Sequence, residues 1–458
     1  MAEENLQRIR HTDQLIFDEF GNLAGLKNPR GQGESLRPFK RNSAGQITGL
    51  DGYDSRVRNV ATLGDSINDA GSNNTSAGVN TLDRGIVPWM LCYLGWPWNY
   101  EPEDNFAVAG TGLDVMISTQ LPLLQAASRT KQYQRVFISA GTNDTNSGVA
   151  VVTIKARFMK LFDGIRSLGA IPVVWGILPR GIDVAITTAK KQNLEINDWL
   201  YLQSLAGLCE YADIGENVAD NAAAFGNALT SMMRDSGTSN LHPNAKGANL
   251  LGRALAAYYT ARGIGPLLKF ATQQGDKFDR TDNPRGVAFA SPNPLMQGGT
   301  TAPTGMSTSG GTWSNVSRTL TNGQTREDRQ CVLAASTTHY IYDDWTASGA
   351  WGATELQPGD VIEGRAILEI ASGVNISNIN LQLAENDGST STQNYCLGQI
   401  DTGLSNGAYV LYLKTPRITV RAYSGSGNAS IFQRLNIIVA AGGSGTAVVK
   451  AFEVRKVA

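Results

Sequence analysis

Val57-Arg58-Asn59-Val60-Ala61-Thr62-Leu63-Gly64-Asp65-Ser66-Ile67-Asn68-Asp69 sets an apolar run, a glycine and a serine in direct succession. The run 57–63 has the length and β-branched content of a buried strand, the glycine supplies a turn, and Ser66 falls where a strand hands over to a helix. Short apolar runs recur downstream at 105–108, 136–140, 172–177 and, more weakly, 206–211. Between them Ile154, Phe158, Leu161, Phe162, Ile165 and Leu168 mark one helical face over four turns, and Leu250, Leu251, Ala254, Leu255 and Tyr258 mark another. This alternation predicts an α/β domain with a parallel sheet over 56–265.

Composition narrows the partners. The 458 residues carry 39 Lys+Arg against 40 Asp+Glu, a formal charge of −1, which leaves no electrostatic footprint for nucleic acid or an anionic membrane. The N-terminal residues contain no apolar core of an export signal, and no apolar run is long enough to cross a bilayer, so membrane insertion is not expected. Glycine, at 50 residues, exceeds the ordinary ~7% share, and charged residues at 17% fall below the usual ~25%, which points to turn-rich β-structure outside the α/β domain. Cys92, Cys209, Cys331 and Cys396 form no C-x-x-C pair and have no histidine cluster nearby, so buried free thiols are expected, with neither metal nor cofactor.

Four segments follow from these shifts. Residues 1–55 hold a weak repeat, Gly21-Asn22-Leu23-Ala24-Gly25-Leu26 returning as Gly45-Gln46-Ile47-Thr48-Gly49-Leu50. Such short units need a partner to bury a face, either the next domain or another chain, which makes this an attachment or oligomerisation segment, with a disordered leader as the alternative. The α/β domain spans 56–265. A Pro/Gly/Ser/Thr-rich stretch, densest over 276–317, makes 266–325 a linker or extended segment. Period-2 runs around Ile379, Leu381 and Leu383, around Ile418 and Val420, and around Val449, Phe452 and Val454 predict a C-terminal all-β sandwich over 326–458, jelly-roll-like in outline.

Three histidines make the search for a catalytic base short. His11 and His339 lack a serine, carboxylate or cysteine context and are read as structural. His242 opens His-Pro-Asn-Ala-Lys-Gly directly before the second apolar helical face, where it can project over the carboxyl ends of parallel strands. Ser66 is the matching strand-end nucleophile, although a Ser or Asp in that place also serves as an ordinary helix cap. Gly110, ending Asn105-Phe106-Ala107-Val108-Ala109-Gly110, offers a bare N–H, and Asn143, in Gly141-Thr142-Asn143-Asp144, offers an amide. Both are donors an oxyanion requires, although either segment taken singly also reads as an ordinary turn.

Taken in order, Gly-Asp-Ser, Asn…Gly, Gly-Thr-Asn-Asp and His-Pro resemble the SGNH (GDSL-type) hydrolase family over 57–265. The resemblance implies a flavodoxin-like three-layer α/β/α fold, Ser66 as nucleophile, His242 as general base, and an oxyanion hole from the N–H groups of Ser66 and Gly110 and the amide of Asn143. The family's aspartate three residues before the histidine is replaced by Ser239. Ser239 holding the tautomer, Asp235 reaching back, and a Ser-His dyad with the histidine held by a hydroxyl or a backbone carbonyl all stay open.

The N-terminal repeats, glycine-rich composition and β-terminal region also resemble the organisation of bacteriophage tail spikes or fibres carrying such an esterase. That implies a virion protein, a homotrimer held to tail or baseplate proteins by its N-terminal segment, which removes O-acetyl groups from capsule or O-antigen polysaccharide at the bacterial surface. Tyr340, Tyr342, Trp345 and Trp351 are its candidate sugar-stacking residues, or else core aromatics. Two other readings remain: a bacterial carbohydrate or lipid esterase with a binding module, and a non-catalytic receptor-binding tail protein.

Overall fold

The computed structural model describes the chain except for residues 1–14, 18–22, 27–36, 42–46, 51–57, 70–72, 77–78, 83–84, 182–186, 223–225, 235–240, 285, 288–292, 348–355, 398–403, 405, 426 and 458. Residues 1–58 and 59–458 are two compact units. In the first, β1 (Leu15–Phe17), β2 (Leu23–Leu26), β3 (Arg37–Arg41) and β4 (Ile47–Leu50) pair antiparallel in sequence order. Both copies of the repeat therefore end in a strand, β2 and β4, each closing a pair with the strand before it.

In the second unit the chain runs through β5 (Asn59–Gly64), a hairpin of β6 (Asn73–Ser76) and β7 (Val79–Leu82), then β8 (Tyr133–Ser139), β9 (Ile171–Val174) and β10 (Glu210–Tyr211). Parallel pairing places four of them in the order β10-β9-β8-β5. Residues 105–108 lie beside β5, with Phe106 N–H on Thr62 O at 2.9 Å and Val108 N–H on Gly64 O at 3.1 Å, but they form only a single bridge rather than the expected strand. Counted in chain order that edge is second, which gives the 2-1-3-4-5 order of flavodoxin-like sheets with the switch point between β5 and β8.

Both faces of the sheet are covered. The helices are α1 (Ser66–Asp69), α2 (Ile86–Leu94), α3 (Leu121–Ala127), α4 (Thr142–Asn146), α5 (Val151–Ser167), α6 (Thr188–Leu205) and α7 (Ala245–Thr260). Side chains alternate across the pleat. Val60, Phe137 and Val173 share a core with Trp89 and Leu91 of α2 and Leu255 and Tyr259 of α7. Ala61, Leu63, Val136, Ile138 and Val174 share another with Leu124 of α3, Phe158, Leu161 and Phe162 of α5, and Ile196 and Leu200 of α6. Each such fully buried large apolar side chain contributes roughly 1.5–3 kcal/mol. The layers are α/β/α, and the predicted helical face on α5 is the buried one.

The C-terminal region is a second, eleven-stranded sheet. Its members are β11 (Ser307–Ser309), β12 (Thr312–Thr319), β13 (Thr325–Leu333), β14 (Thr337–Thr346), β15 (Val361–Asp387), β16 (Ser391–Cys396), β17 (Tyr409–Lys414), β18 (Ile418–Thr419) and β19 (Ala429–Lys456), together with β6 and β7. The axis is the antiparallel pair β15/β19, of 27 and 28 residues, whose register shifts four times between Ile367 and Asn378 and so lets both strands bend. Strands begin at Ser307, inside the Pro/Gly/Ser/Thr-rich stretch.

The two sheets share one apolar core, and polar contacts cross between them. Trp96 Nε1 donates to Tyr412 O at 2.7 Å, the Tyr93 and Tyr409 rings meet edge to face at 6.1 Å, and the buried Lys414 ammonium sits 3.2 Å from Glu101 and 4.6 Å above the Trp96 ring. Cys92 and Cys396 place their buried thiols 3.6 Å apart. All four cysteines are buried and unbridged, as expected.

The sequence reading passed over α2, α6 and the β6–β7 hairpin. Eight of the nine α2 residues are buried, so the helix carries no polar stripe to reveal its period. Residues 206–211, expected as a strand, mostly finish α6: Gly207 takes φ 74° after its last turn, leaving only Glu210–Tyr211 in the sheet.

Candidate active site

The site grows from the end of β5. Gly64 takes φ +152°, and a Cβ there would lie 2.7 Å from Ser139 O, so the position admits only glycine without displacing β8. The buried Gln120 amide holds both of its backbone groups, accepting from Gly64 N–H at 2.9 Å and donating to Gly64 O at 2.8 Å. Asp65 turns inward, 1% exposed, and accepts from Ile67 N–H at 3.1 Å and Ser139 Oγ at 3.0 Å. Burial raises its pKa to about 6 against the lowering effect of those hydrogen bonds. With the neighbours on either side fixed, Ser66 opens α1 half-buried, and its Oγ lies 2.7 Å from His242 Nε2.

His242 is held by a clamp on the loop before α7. Its carbonyl accepts from Arg234 N–H at 2.7 Å, and Asn244 N–H donates to Met232 O at 3.0 Å. The Asn244 side chain caps α7 by accepting from Gly247 N–H at 2.9 Å, while its Nδ2 donates to Ser231 O at 3.0 Å and Met233 O at 3.2 Å. A Cβ on Gly247 would meet Met232 O at 2.2 Å. His242, Pro243, Asn244 and Gly247 of the His-Pro-Asn-Ala-Lys-Gly run are thereby tied to the 231–234 segment. Ser239 and Asp235, the alternative partners of the imidazole, lie outside the described residues.

Gly110 and Asn143 arrive from the neighbouring strand ends. Asn105 anchors the Gly110 loop: its Oδ1 accepts from Thr62 Oγ1 and from Ala107 N–H at 3.1 Å, and its Nδ2 donates to Asn68 O at 3.0 Å. Ala109 N–H donates to Asp69 at 3.2 Å, and Thr111 Oγ1 to Gly64 O at 3.1 Å. Gly110 itself takes φ +76° and has nothing within 4 Å of the place a Cβ would occupy, so it is left open to an incoming group. Among the described residues the backbone N–H of neither Ser66 nor Gly110 makes a backbone hydrogen bond. Asn143, early in α4, donates to Thr111 O at 2.9 Å with one of its two amide hydrogens. Asp144 beside it is buried, accepts from Leu113 N–H at 3.0 Å and pairs with Arg157 at 2.8 Å, which binds α4 to the helical turns behind it.

The structure thus joins Ser66 directly to His242, and it ties the Gly110 loop to both Gly64 and Asn143. The supporting groups Gln120, Asp69, Asp144 and Asn68 carried no sequence signal beyond their motif neighbours, and Gln120 carried none. Among the described residues no cluster of His, Cys, Asp or Glu could hold a metal ion. His339 is buried in β14, with Nε2 accepting from Ala334 N–H at 3.0 Å and Nδ1 3.5 Å from Cys331 Sγ.

Of the aromatic candidates, Trp351 lies outside the described residues, and Trp345 packs partly buried against the core. Tyr340 and Tyr342 stand on the opposite, half-exposed face of β14, 5.7 Å apart, in a row with Phe432 at 5.8 Å from Tyr342. The Arg434 guanidinium lies over Tyr340 and Phe432.

A parallel sheet with a serine and a histidine in contact over its switch point is the arrangement of a serine-nucleophile site in an α/β domain. Residues 62–250 match the GDSL-like Lipase/Acylhydrolase family, and this part of the chain is similar to the GDSL/SGNH hydrolases, a family of esterases and acylhydrolases. Similar solved structures include a lipolytic G-D-S-L family member from Veillonella parvula (18% identity, 44% of this chain and 98% of that one, TM-score 0.34). A GDSL-like lipase from Bacteroides thetaiotaomicron (11%, 45% and 90%, 0.31) and a catalytic mutant of an acetylxylan esterase from Geobacillus stearothermophilus (13%, 47% and 97%, 0.34) are others. No curated protein matches the chain. Among the described residues no helix is long and apolar enough to cross a membrane.

Proposed function

We propose that the protein is a serine esterase that removes O-acetyl groups from bacterial surface polysaccharide, and that it does so as a trimeric tail spike or fibre of a phage virion, attached through residues 1–55. The observation that carries the catalytic part is the 2.7 Å contact between Ser66 Oγ and His242 Nε2. In the reaction His242 takes the Ser66 proton as Oγ bonds to the ester carbonyl carbon. The carbonyl π electrons move to oxygen, and the anion accepts hydrogen bonds from Ser66 N–H, Gly110 N–H and the second amide hydrogen of Asn143. Collapse breaks the bond to the sugar oxygen, which leaves with the proton from His242. Water, deprotonated by His242, then cleaves acyl-Ser66 to release acetate and restore the serine.

The open surroundings of Gly110, with Val108 49% exposed, suit a small acyl group carried on a large polymer. The Tyr340–Tyr342–Phe432 row offers ring faces on the β-region, the sandwich or jelly roll of this reading, where it would hold glycan or support trimer assembly. The test is acetate release from a panel of purified capsular and O-antigen polysaccharides. Release by the wild type and none by Ser66→Ala supports the reading. Surface binding without release from any acetylated glycan would instead mark a receptor-binding protein on an esterase scaffold. Sedimentation of the full chain checks the trimer, and a monomer counts against the tail-spike assignment.

A further inference from the structure

A cavity of about 510 Å³, inside the ~300–1,000 Å³ range of small-molecule sites, opens beyond the carboxyl ends of β9 and β10, two strands away from Ser66 along the same edge of the sheet. Neither Ser66 nor His242 lines it. Its wall comes from the segment after β9 (Trp175 to Pro179), one side of α6 and the segment after β10.

The chemistry of the lining is mixed in a particular way. Ile177, Leu178 and Pro179 give an apolar patch. Two lining side chains hold polar atoms without a hydrogen-bond partner among the described residues: the Trp175 indole N–H, on a residue 1% exposed, and Asn193 Oδ1, on a residue 6% exposed. One is a donor and the other an acceptor, and an orphaned group of this kind costs about 1–3 kcal/mol. A hydroxyl group, which both donates and accepts, can satisfy the pair. Around them stand four carboxylates, Asp198, Asp213, Glu216 and Asp220, against one buried cation, Lys190. Burial and the neighbouring Glu216 hold the Asp213 carboxyl above its ordinary range, a sign of crowded negative charge. No metal-binding cluster is formed among the described residues, so the excess does not read as a cation site.

The geometry points to a glycosyl-binding subsite that takes an uncharged or amino-bearing sugar residue and rejects anionic ones. A sugar ring matches the lining on each count. Its C–H faces fit the apolar patch, its hydroxyls bring donors and acceptors to the wall that Trp175 and Asn193 form and give carboxylates hydrogens to accept, and it brings no charge to oppose three excess negatives. The assignment rests on the proposed glycan substrate, with this cavity gripping a sugar away from the acetylated one.

The test measures binding of methyl glucoside, methyl galactoside, methyl mannoside, N-acetylglucosamine, glucosamine and glucuronate to the full chain by ligand-observed NMR. p-Nitrophenyl acetate hydrolysis is measured alongside. We expect at least one neutral or amino sugar to bind with a Kd below ~10 mM, and glucuronate to bind at least about tenfold more weakly. Asn193→Leu, and separately the surface changes Glu216→Gln and Asp213→Asn, should weaken that binding by about fivefold or more while p-nitrophenyl acetate hydrolysis stays within about twofold of wild type. The surface pair guards against a fold defect in Asn193→Leu. No binding by any sugar, equal binding of glucuronate, or binding untouched by all three variants overturns the subsite. Loss of ester hydrolysis in the wild type would instead overturn the esterase reading and leave sugar binding to be judged alone.

Discussion

Two stretches of one sheet edge behave differently. At the β5–β8 end the groups that support the oxyanion donors are committed, Gly64 to Gln120, Asp65 to Ser139 and Ile67, Asn105 to Thr62, Ala107 and Asn68, and only the donors themselves stay open. At the β9–β10 end the Trp175 N–H and the Asn193 side-chain carbonyl find no partner among the described residues, and both residues line the cavity. Chemistry demands that reacting atoms be held within a fraction of an ångström, which a saturated hydrogen-bond network provides. Binding tolerates, and benefits from, groups that find their partner only when a ligand arrives.

The contrast breaks first at the serine. Ser66→Ala should lower ester hydrolysis by a factor of about 10³ or more, measured as steady-state p-nitrophenyl acetate turnover, because the acyl intermediate has no oxygen to form on. Turnover within tenfold of wild type would remove the saturated end from catalysis altogether. Next comes Asn143→Ala, with an expected loss of roughly 10²–10³ in kcat and little change in KM, since an oxyanion donor acts only as charge develops. A KM effect alone would assign the amide to substrate binding instead.

Gln120→Leu sharpens the comparison without touching substrate. It leaves the Gly64 N–H without its buried acceptor, while Gly64 O keeps Val108 N–H and Thr111 Oγ1, so the turn loosens, and kcat should fall by about tenfold while the fold persists by circular dichroism. Unchanged kcat would show that the network is structural only.

The smallest effect is on stability against pH. Asp65 has its pKa raised from 3.8 to about 6 by burial, so folding favours its protonated form. Its favourable contribution is present in full below about pH 4 and is lost as pH rises through about 6. The loss has an upper limit of about 3 kcal/mol, and Asp65→Asn should flatten that part of the denaturation midpoint against pH. Identical pH profiles for the two proteins would show that Asp65 ionises equally well in both states.

The sequence disclosed the parts of the site that repeat a local rule. Gly64 before Ser66, His242 before a capped helix and Asn143 after Gly141 all sit where strand ends meet turns, and turns have a residue signature. Gln120 is invisible by the same standard: it lies mid-helix, 56 residues from Gly64, and only tertiary folding brings them together. The helical face of α5 was legible because one side of it meets solvent, and α2 was not because neither side does. The strand expected at 105–108 failed for a third reason. A single run of apolar residues does not show how much of it finds a partner, and here only two of its N–H groups reach β5.

The hairpin β6–β7 has a mechanical consequence. Only residues 70–72 separate the end of α1 from β6, and β7 lies parallel to β16 as a member of the C-terminal sheet. The nucleophile is therefore tethered to that sheet by a few covalent bonds. The chain joins the nucleophile to that sheet within the seven residues that follow Ser66, up to Asn73, whereas the histidine is mounted on a different segment, before the helix Ala245–Thr260.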